Sequence, residues 1–510
     1  QVFFNSVIAA FTGWNDARNR GDEALVFGDG TPMDSSAVRS VADFMAEKRV
    51  AFKWQNGDVL LIDNTLVMHS RDTFVPPRRV LASLRGPPRR TPVGRLSGPT
   101  PLGVSAHPAL RIGIIGAGMM GQEHIRNIAL FGEDVAIVVA VAEVDAEVRE
   151  QLKRELVRPC TIFNRFEDII SCDLVDAFIV CTPNYHHIEV LRMAIPTGKH
   201  ILCEKPLCTT VHDCVEVKRL LVERNTRAKL IGAPPPGIFM VGMEYRWMPP
   251  ISRLIQEVDS GRHGDLFTVS IREHRFPFLV KVQNWNRFNK YTGGTLVEKG
   301  CHFFDLMRRI IRSEPVAIFA SGGQAQNHKD EVYGTETPDI IDHAFIVVEF
   351  ANGARAFLDL CMFAEDEQNE QVIAICERGK VEARSPESVV RIVERRHISG
   401  TTREPLAPEK RAVAKVHEIP VPKELAAAGY HEGATYHELR AFVDSARNRR
   451  LTPVSAHDGT MAVAMGVAAH ESIRTGRKCR LEGLSRRSDG LQLNPTGDGP
   501  LAGDGPTARL

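Results

Sequence analysis

Two groups of residues in this chain have the types and spacing to do chemistry. The first is Gly116-x-Gly118-x-x-Gly121, directly after the apolar run Leu110–Ile115. Glycine at the first position permits a sharp turn off a strand. At the second it leaves the backbone open to an anion, and at the third it lets a helix lie close to the strand. Met119 and Met120 open that helix, whose N-terminus can receive a pyrophosphate. A second apolar run, Val135–Ala142, ends in Glu143, 22 residues past Gly121. An acid there can bond the ribose hydroxyls of an adenosine half. The pattern predicts a dinucleotide site; the glycines alone would also fit a turn in another α/β protein.

The second group is Glu298, His302 and Asp305, at i, i+4 and i+7 on one helix face. His302 has an ordinary pKa near neutrality, which suits proton transfer. Two other readings fit these residues. One is a buried histidine satisfied by Asp305. The other is a metal site that includes Cys301, but Cys301 lies about 100° round a helix from His302 and converges poorly on one ion.

Positioning these groups takes a parallel sheet and a second, larger one. Leu174–Cys181 and His200–Cys203 are further buried strands, separated by helices at about 188–197 and 211–224. Strands alternating with helices predict a Rossmann-type, doubly wound parallel sheet, so the class is α/β. Phe239–Trp247 reads as the strand opening the next domain. Several strands in succession follow, at Leu266–Arg272, Val316–Ser321, Asp342–Phe350, Ala354–Cys361, Gln371–Glu377 and Val389–Val393, with Asn352-Gly353 as a hairpin turn. They predict an α+β domain with a large, mostly antiparallel open sheet. Helices fit Tyr436–Asn448 and Asp458–Thr475. The expected organisation is 1–84, a Pro/Gly/Arg-rich linker 85–108, the dinucleotide domain 109–235, the substrate domain 236–482 and a disordered tail 483–510. Gly232–Gly237 reads as an insertion.

Bulk properties narrow the function. The chain has 510 residues and a formal net charge of +1, which gives no broad electrostatic case for nucleic acid or an anionic membrane. Its 10 cysteines form no C-x-x-C pairs, which argues against a disulfide scaffold or zinc module and suits a reducing, cytoplasmic setting. No apolar run approaches the roughly 20 residues needed to span a bilayer. Gln1-Val-Phe-Phe lacks the basic start of a signal peptide and reads as part of something longer.

The order of the glycine motif, the acid-ended strand, Thr182-Pro183-Asn184-x-x-His187 and Glu204-Lys205-Pro206 resembles the Gfo/Idh/MocA oxidoreductases over roughly 110–482. The resemblance implies an NAD(P)-dependent dehydrogenase acting on the CH–OH group of a polyol, sugar or cyclic alcohol. It assigns Thr182, Pro183, Asn184, His187, Glu204 and Lys205 to the cofactor. Lys205 would reach both the nicotinamide ribose and the substrate hydroxyl, where its charge steadies an alkoxide and burial near the cofactor's positive ring can lower its pKa for proton transfer. His302 would be the acid/base and Glu298 its orienting acid, with Glu replacing the family's Asp. Their own placement at strand ends, apart from the resemblance, puts Asn184 and Arg246 at the border of the substrate pocket. The family also implies a homo-oligomer, dimer or tetramer, paired through the open sheet. Glu143 favours NAD(H) over NADP(H), because it repels a 2′-phosphate; nearby Arg149 leaves NADP(H) open.

Residues 1–84 resemble a different family. Trp54-Gln-x-Gly57-Asp58, Leu61-Ile-Asp63-Asn64, His69-x-Arg71 and Arg78-Arg79 are similar to the C-terminal part of the TauD/TfdA dioxygenases. This implies a partial double-stranded β-helix (jelly-roll), with His69 as the distal Fe(II) ligand and Arg79 as the 2-oxoglutarate clamp. No H-x-D or H-x-E occurs in 1–84 to complete the iron site. Fe(II) and 2-oxoglutarate are therefore expected only if a longer native chain supplies that pair, as in a bifunctional fusion. A non-catalytic, dinucleotide-binding regulator is the remaining alternative.

Overall fold

The computed structural model describes residues 15–16, 19–20, 31, 34–48, 108–156, 160–364, 369–395 and 412–481. The chain divides into two compact units, Gln1–Pro88 and Arg89–Leu510. In the first, Asn15–Asp16 and Asn19–Arg20 pair antiparallel, and a helix spans Ser35–Lys48. Asp34 Oδ1 accepts from Ser36 N at 2.9 Å, satisfying one free donor at that helix start. The segments carrying His69 and Arg79, the expected strand at Gly57–Asn64, most of the linker and the tail lie outside the described residues.

The second unit opens with a six-stranded parallel sheet. Its strands are β1 (Leu110–Ile115), β2 (Ala136–Ala142), β3 (Thr161–Phe163), β4 (Ala177–Val180), β5 (His200–Glu204) and β6 (Phe239–Gly242). Their spatial order is β3-β2-β1-β4-β5-β6. The order reverses between β1 and β4, and a ligand crevice lies outside the carboxyl ends of the strands at such a point. β4 and β6 are buried at every residue, as continuous apolar strands covered on both faces must be. The crossover helices are α1 (Met119–Ile128), α2 (Ala146–Glu155), α3 (Phe166–Ser171), α4 (His187–Ala194) and α5 (Val211–Leu230). Asp145 caps α2 through Glu147 N and Val148 N.

β6 departs from the expectation that Phe239 opens the second domain at 236. It pairs in parallel with β5 and completes the first sheet. Only four residues are extended, and Glu244–Trp247 then winds into a 3₁₀ turn. Two features account for this. α5 runs on to Leu230, past the expected stop near Arg224, and Gly237 N donates to Gly198 O at 2.7 Å, which aligns the returning chain with β5.

The second sheet has nine strands. They are β7 (Leu266–His274), β8 (Pro315–Gly323), β9 (His343–Phe350), β10 (Arg355–Cys361), β11 (Asn369–Cys376), β12 (Gly379–Ser385), β13 (Val389–Glu394), β14 (Lys415–Glu418) and β15 (Cys479–Arg480). They lie in the order β14-β13-β12-β11-β7-β10-β9-β8-β15, and every neighbouring pair is antiparallel except β7 with β10. Burial alternates along β9 and β11, so one face is covered. The other face presents Phe267, Phe319, Phe345, Val347 and Phe357 to the outside. Gly353, at φ +88°, makes the tight turn from β9 to β10.

Helices α6 (Pro249–Asp259), α7 (Asn289–Thr292), α8 (Thr295–Glu298), α9 (Gly300–Ile311), α10 (Lys423–Ala427), α11 (Ala434–Asn448) and α12 (Ala456–Thr475) complete this unit. α12 begins with a reciprocal Ser455–Asp458 capping box. Its Ala462 and Val463 join the core of the first sheet, and its Met461, Met465 and Ala468 join that of the second. Among the described residues no helix is long and apolar enough to cross a membrane.

Candidate active site

The three glycines after β1 do different work. Gly116 has φ +90°, and a Cβ there would stand 2.8 Å from Cys181 O. A Cβ on Gly121 would stand 2.1 Å from Gly116 O, so α1 can pack this closely only with glycine. At Gly118 a Cβ would meet nothing within 4 Å, so the protein leaves that space open. Gly118 is also the N-cap of α1, and no side chain caps the helix. The first N–H groups, around Met119 and Met120, thus keep their capacity for an anion. Glu143, just past β2, accepts from Ala117 N at 2.6 Å and Asp145 N at 2.9 Å. Arg149 donates to Glu143 O at 2.8 Å and to Val144 O at 2.6 Å, so its guanidinium holds the acid loop. The open space at Gly118 and the fixed acid fit a pyrophosphate and an adenosine ribose.

The ends of β4 and β5 divide into groups that can meet a ligand and groups that brace them. Thr182 Oγ1 and Asn184 Nδ2 are buried with no partner in the protein and remain available. Pro183 stands between them, ahead of the short 3₁₀ turn Asn184–His186. His187 is committed to the frame. Its Nδ1 lies 2.9 Å from Pro206 O and its Nε2 3.0 Å from Thr182 O, tying the two strand-end loops together. Burial lowers its pKa. Glu204 braces as well: Oε1 lies 2.6 Å from Nε2 of buried His124 on α1, and Oε2 accepts from Lys205 N at 3.2 Å.

Lys205 Nζ lies 3.5 Å from the carbonyl oxygen of Glu298. Burial opposes its charge, but Glu244, Cys301, Glu298 and Glu204 outweigh burial and raise its pKa. In the protein alone Lys205 is thus a charged donor, held so by these acids.

The helix expected to carry Glu298, His302 and Asp305 on one face is broken at Lys299, between α8 and α9. The carbonyl of Glu298 takes Lys205 and the Cys301 thiol, the latter at 3.3 Å. His302 Nε2 instead faces Glu244 Oε1 at 3.7 Å, and its Nδ1 is buried without a partner. Tyr245 stacks on the imidazole at 4.2 Å with an 18° tilt. Burial drives His302 well below the ordinary histidine pKa, and Lys205 and Lys299 add to the effect. The ring is therefore neutral and able to take a proton. Glu298 keeps one carboxylate oxygen unpartnered; burial raises its pKa against the opposing charges of Lys205, Lys281 and Arg275.

Asp305 and Arg246 are occupied with each other. Arg246 Nε donates to Asp305 Oδ2 at 2.5 Å, its Nη2 bonds Oδ1, and its Nη1 donates to Pro453 O at 2.7 Å. This buried pair explains why Asp305 does not satisfy His302, and it commits the Arg246 guanidinium, expected to border the substrate, to Asp305 and Pro453 O. Burial pushes the Cys301 thiol up to about 12. Lys299 is buried too, donating to the Tyr245 hydroxyl at 2.5 Å and pairing with Glu273 at 2.7 Å. α12 sets the height of α8: a Cβ on Gly466 would stand 2.4 Å from Leu296 O, and Leu296 N donates to His470 Nε2 at 3.1 Å.

Sequence reasoning missed Glu244, Tyr245 and His431. His431 Nδ1 lies 3.1 Å from Glu123 Oε1, and its Nε2 lies 3.7 Å from Glu244 Oε1. One signal was available: Glu244 follows a wholly apolar strand, and a buried carboxylate requires partners.

A crevice at the sheet's reversal point, open where a pyrophosphate belongs, brings a charged lysine and a neutral histidine to one rim. Such a protein is an oxidoreductase that works with a nicotinamide dinucleotide. A family model described as "Oxidoreductase family, NAD-binding Rossmann fold" matches residues 110–230, and its companion, "Oxidoreductase family, C-terminal alpha/beta domain", matches 255–481. This part of the chain belongs to the Gfo/Idh/MocA oxidoreductase family. A myo-inositol 2-dehydrogenase of Thermotoga maritima is 24% identical over 379 residues, covering 73% of this chain and 99% of the relative. A solved levoglucosan dehydrogenase, in complex with NADH and levoglucosan, has the same fold, with TM-score 0.61 and 18% identity over 73% of this chain and all of that one. The TauD/TfdA taurine dioxygenase model matches residues 2–85. A clavaminate synthase-like protein of Arabidopsis thaliana is 55% identical over 84 residues, 16% of this chain, which spans about a quarter of that relative's length (26%).

Proposed function

We infer that residues 110–481 interconvert a carbinol and a carbonyl on a cyclic polyol or sugar, with NAD(H) as the redox partner. The observation that carries this reading is the unpartnered His302 Nδ1 beside the charged Lys205. When bound, NAD supplies the hydride acceptor at nicotinamide C4. Gly116, Gly118, Gly121, Met119 and Met120 would hold the pyrophosphate, Glu143 the ribose, and Thr182, Pro183 and Asn184 the nicotinamide half. Lys205 donates to the substrate oxygen and steadies its developing charge. His302 Nδ1 takes the hydroxyl proton during oxidation and returns it during reduction. Glu298 lines the site with its free oxygen and accepts from a second substrate hydroxyl. His187 and Glu204 hold the loops at the right height.

NAD(H) is favoured over NADP(H) because Glu143 is fixed by two backbone donors and Arg149 is spent on carbonyls. The exposed aromatic face of the second sheet supports a homo-oligomer paired there. All 10 cysteines are free, which supports a reducing, cytoplasmic setting. His69 and Arg79 are proposed as one iron ligand and the 2-oxoglutarate clamp in a chain that supplies the missing pair.

The test is fluorescence titration with NADH and NADPH, followed by turnover on myo-inositol, levoglucosan and related cyclic polyols. Tight NADH binding that survives a Lys205→Ala/His302→Ala double variant but not Gly118→Val is expected. No binding of either cofactor by the folded wild-type chain would sink the proposal. Binding without turnover on a broad panel would favour a non-catalytic dinucleotide-binding protein.

A further inference from the structure

His302 is 2% exposed, so a proton it takes from a substrate has no direct way to water. The carboxylate it faces is that of Glu244, which is 1% exposed. Glu244 Oε1 also faces Nε2 of His431, again at 3.7 Å. Of these three residues His431 alone reaches the surface, with 21% of its side chain exposed. Its other nitrogen is held by Glu123, whose carboxylate also accepts from Thr435 at 2.6 Å and Tyr430 N at 3.3 Å. We propose that Glu244 and His431 relay the substrate's hydroxyl proton between His302 and solvent.

The inference rests on the oxidoreductase reading above. The balance is simple. In oxidation the C–H bond breaks, and its hydrogen leaves with both electrons to the nicotinamide. The O–H bond breaks, and its proton goes to His302 Nδ1. The proton on His302 Nε2 passes to Glu244 Oε1. That carboxyl hands a proton to Nε2 of His431, which passes it on to water, while Nδ1 keeps its own proton on Glu123. Reduction runs the same steps backwards. Each 3.7 Å gap is about 0.8 Å longer than an ordinary N–H···O bond, and such contacts tighten when a substrate closes the site.

The surrounding charges suit the task. Burial and the neighbouring Glu204 raise Glu244 above the usual carboxylate range, against the pull of His431 and Lys205. Buried Glu438 also faces it, and Lys299 faces both histidines. Burial opposes charge on His431, but Glu123 and Glu244 prevail and raise it. Glu244 Oε2 has no partner in the protein, so the carboxyl is free to hold a proton on either oxygen. Tyr245, stacked on His302 and 6.4 Å from the His431 ring, keeps the two imidazoles apart, so their connection runs through Glu244.

The experiment needs no known substrate. In the full chain, with ¹⁵N-labelled histidine, NMR follows exchange of the His302 ring N–H with water, its signal assigned through His302→Gln. His431→Gln and Glu244→Gln are each expected to slow that exchange about tenfold, because the deep ring loses its outlet. Glu244→Asp, which keeps a carboxylate, should restore most of the rate and guards against a folding defect. Melting temperature and NADH affinity are read on every variant. Unchanged exchange in a folded His431→Gln or Glu244→Gln protein overturns the relay, and so does equal slowing by Glu244→Asp. Failure of the wild-type chain to bind NADH with the exchange pattern intact overturns the oxidoreductase reading instead, and leaves the path standing.

Discussion

His302 faces the carboxylate of Glu244, at 3.7 Å, and not that of Glu298 four residues before it. The break at Lys299 frees the Glu298 carbonyl for Lys205 and turns the Glu298 side chain toward the cations of the site. Orientation of the imidazole therefore falls to the Tyr245 stack and Glu244, and Glu298 is left to meet substrate. Glu298→Gln is expected to raise KM more than it lowers kcat, and Tyr245→Leu to lower kcat with little change in KM. Steady-state kinetics on the first active polyol would separate the two, and the reverse pattern would refute this division of labour.

The position of the acid limb follows from the same histidine. His302 is held well below its ordinary value, so it is already neutral at pH 6.5. For oxidation, kcat/KM should stay flat from neutrality down past about pH 6.5 and fall only below it. Lys205→Met removes a cation that disfavours protonated His302, so the residual activity should show its acid limb at higher pH. A limb at or above pH 7 in the wild type would count against His302 as the base.

The glycines should separate folding from binding. Gly121→Ala drives a methyl into Gly116 O and should lower the melting temperature markedly. Gly118→Val adds its side chain to open space, so melting should barely move while NADH affinity falls at least about a hundredfold. Calorimetry and cofactor titration on the two variants measure both effects.

Asp305→Ala would leave Arg246 charged and buried with the Pro453 carbonyl and the more distant Asp458 carboxylate, at 3.9 Å, as its partners. Removing one member of a buried ion pair costs about 3–5 kcal/mol. Urea unfolding should register a loss of that order. Since the pair touches no reacting atom, the surviving folded fraction should bind NADH normally.

Acid stability should trace to Glu123. Burial would raise its pKa, but His431, Thr435 and Tyr430 N bring it down to about 2. Its folded value is depressed, so its stabilisation, about 3 kcal/mol, is complete above the unfolded value near 4.5 and is lost as pH falls toward 2. His431 is raised by the same contact, so its share is present below about 6.5 and fades as pH rises past its folded value. Glu123→Gln should destabilise at pH 6, and the gap to wild type should narrow below about 4.5. Denaturant midpoints across pH would check this, and a constant gap would contradict it.

Local patterns carried much of this molecule. Strand alternation marked the buried face of the second sheet, and the glycine spacing marked the mouth of the crevice. Lys415–Glu418 escaped notice because an edge strand exposed at every residue has no apolar period to read. The charged partners of His302 escaped for another reason. Glu123 and His431 lie 308 positions apart in sequence and meet only when α1 packs beside the loop before α11. Glu244 was hidden by the assumption that β6 continues through it, although its charge should have stopped the strand at Gly242.

Gly466 has a broader consequence. It lies on α12, a helix that supplies none of the reacting groups, yet its missing side chain is what lets the Leu296 carbonyl settle against that helix. Side-chain volume at this one position is thus a remote dial on the seat of Glu298 and Lys299. Selection or engineering could retune substrate preference from there without exchanging any atom that a substrate meets.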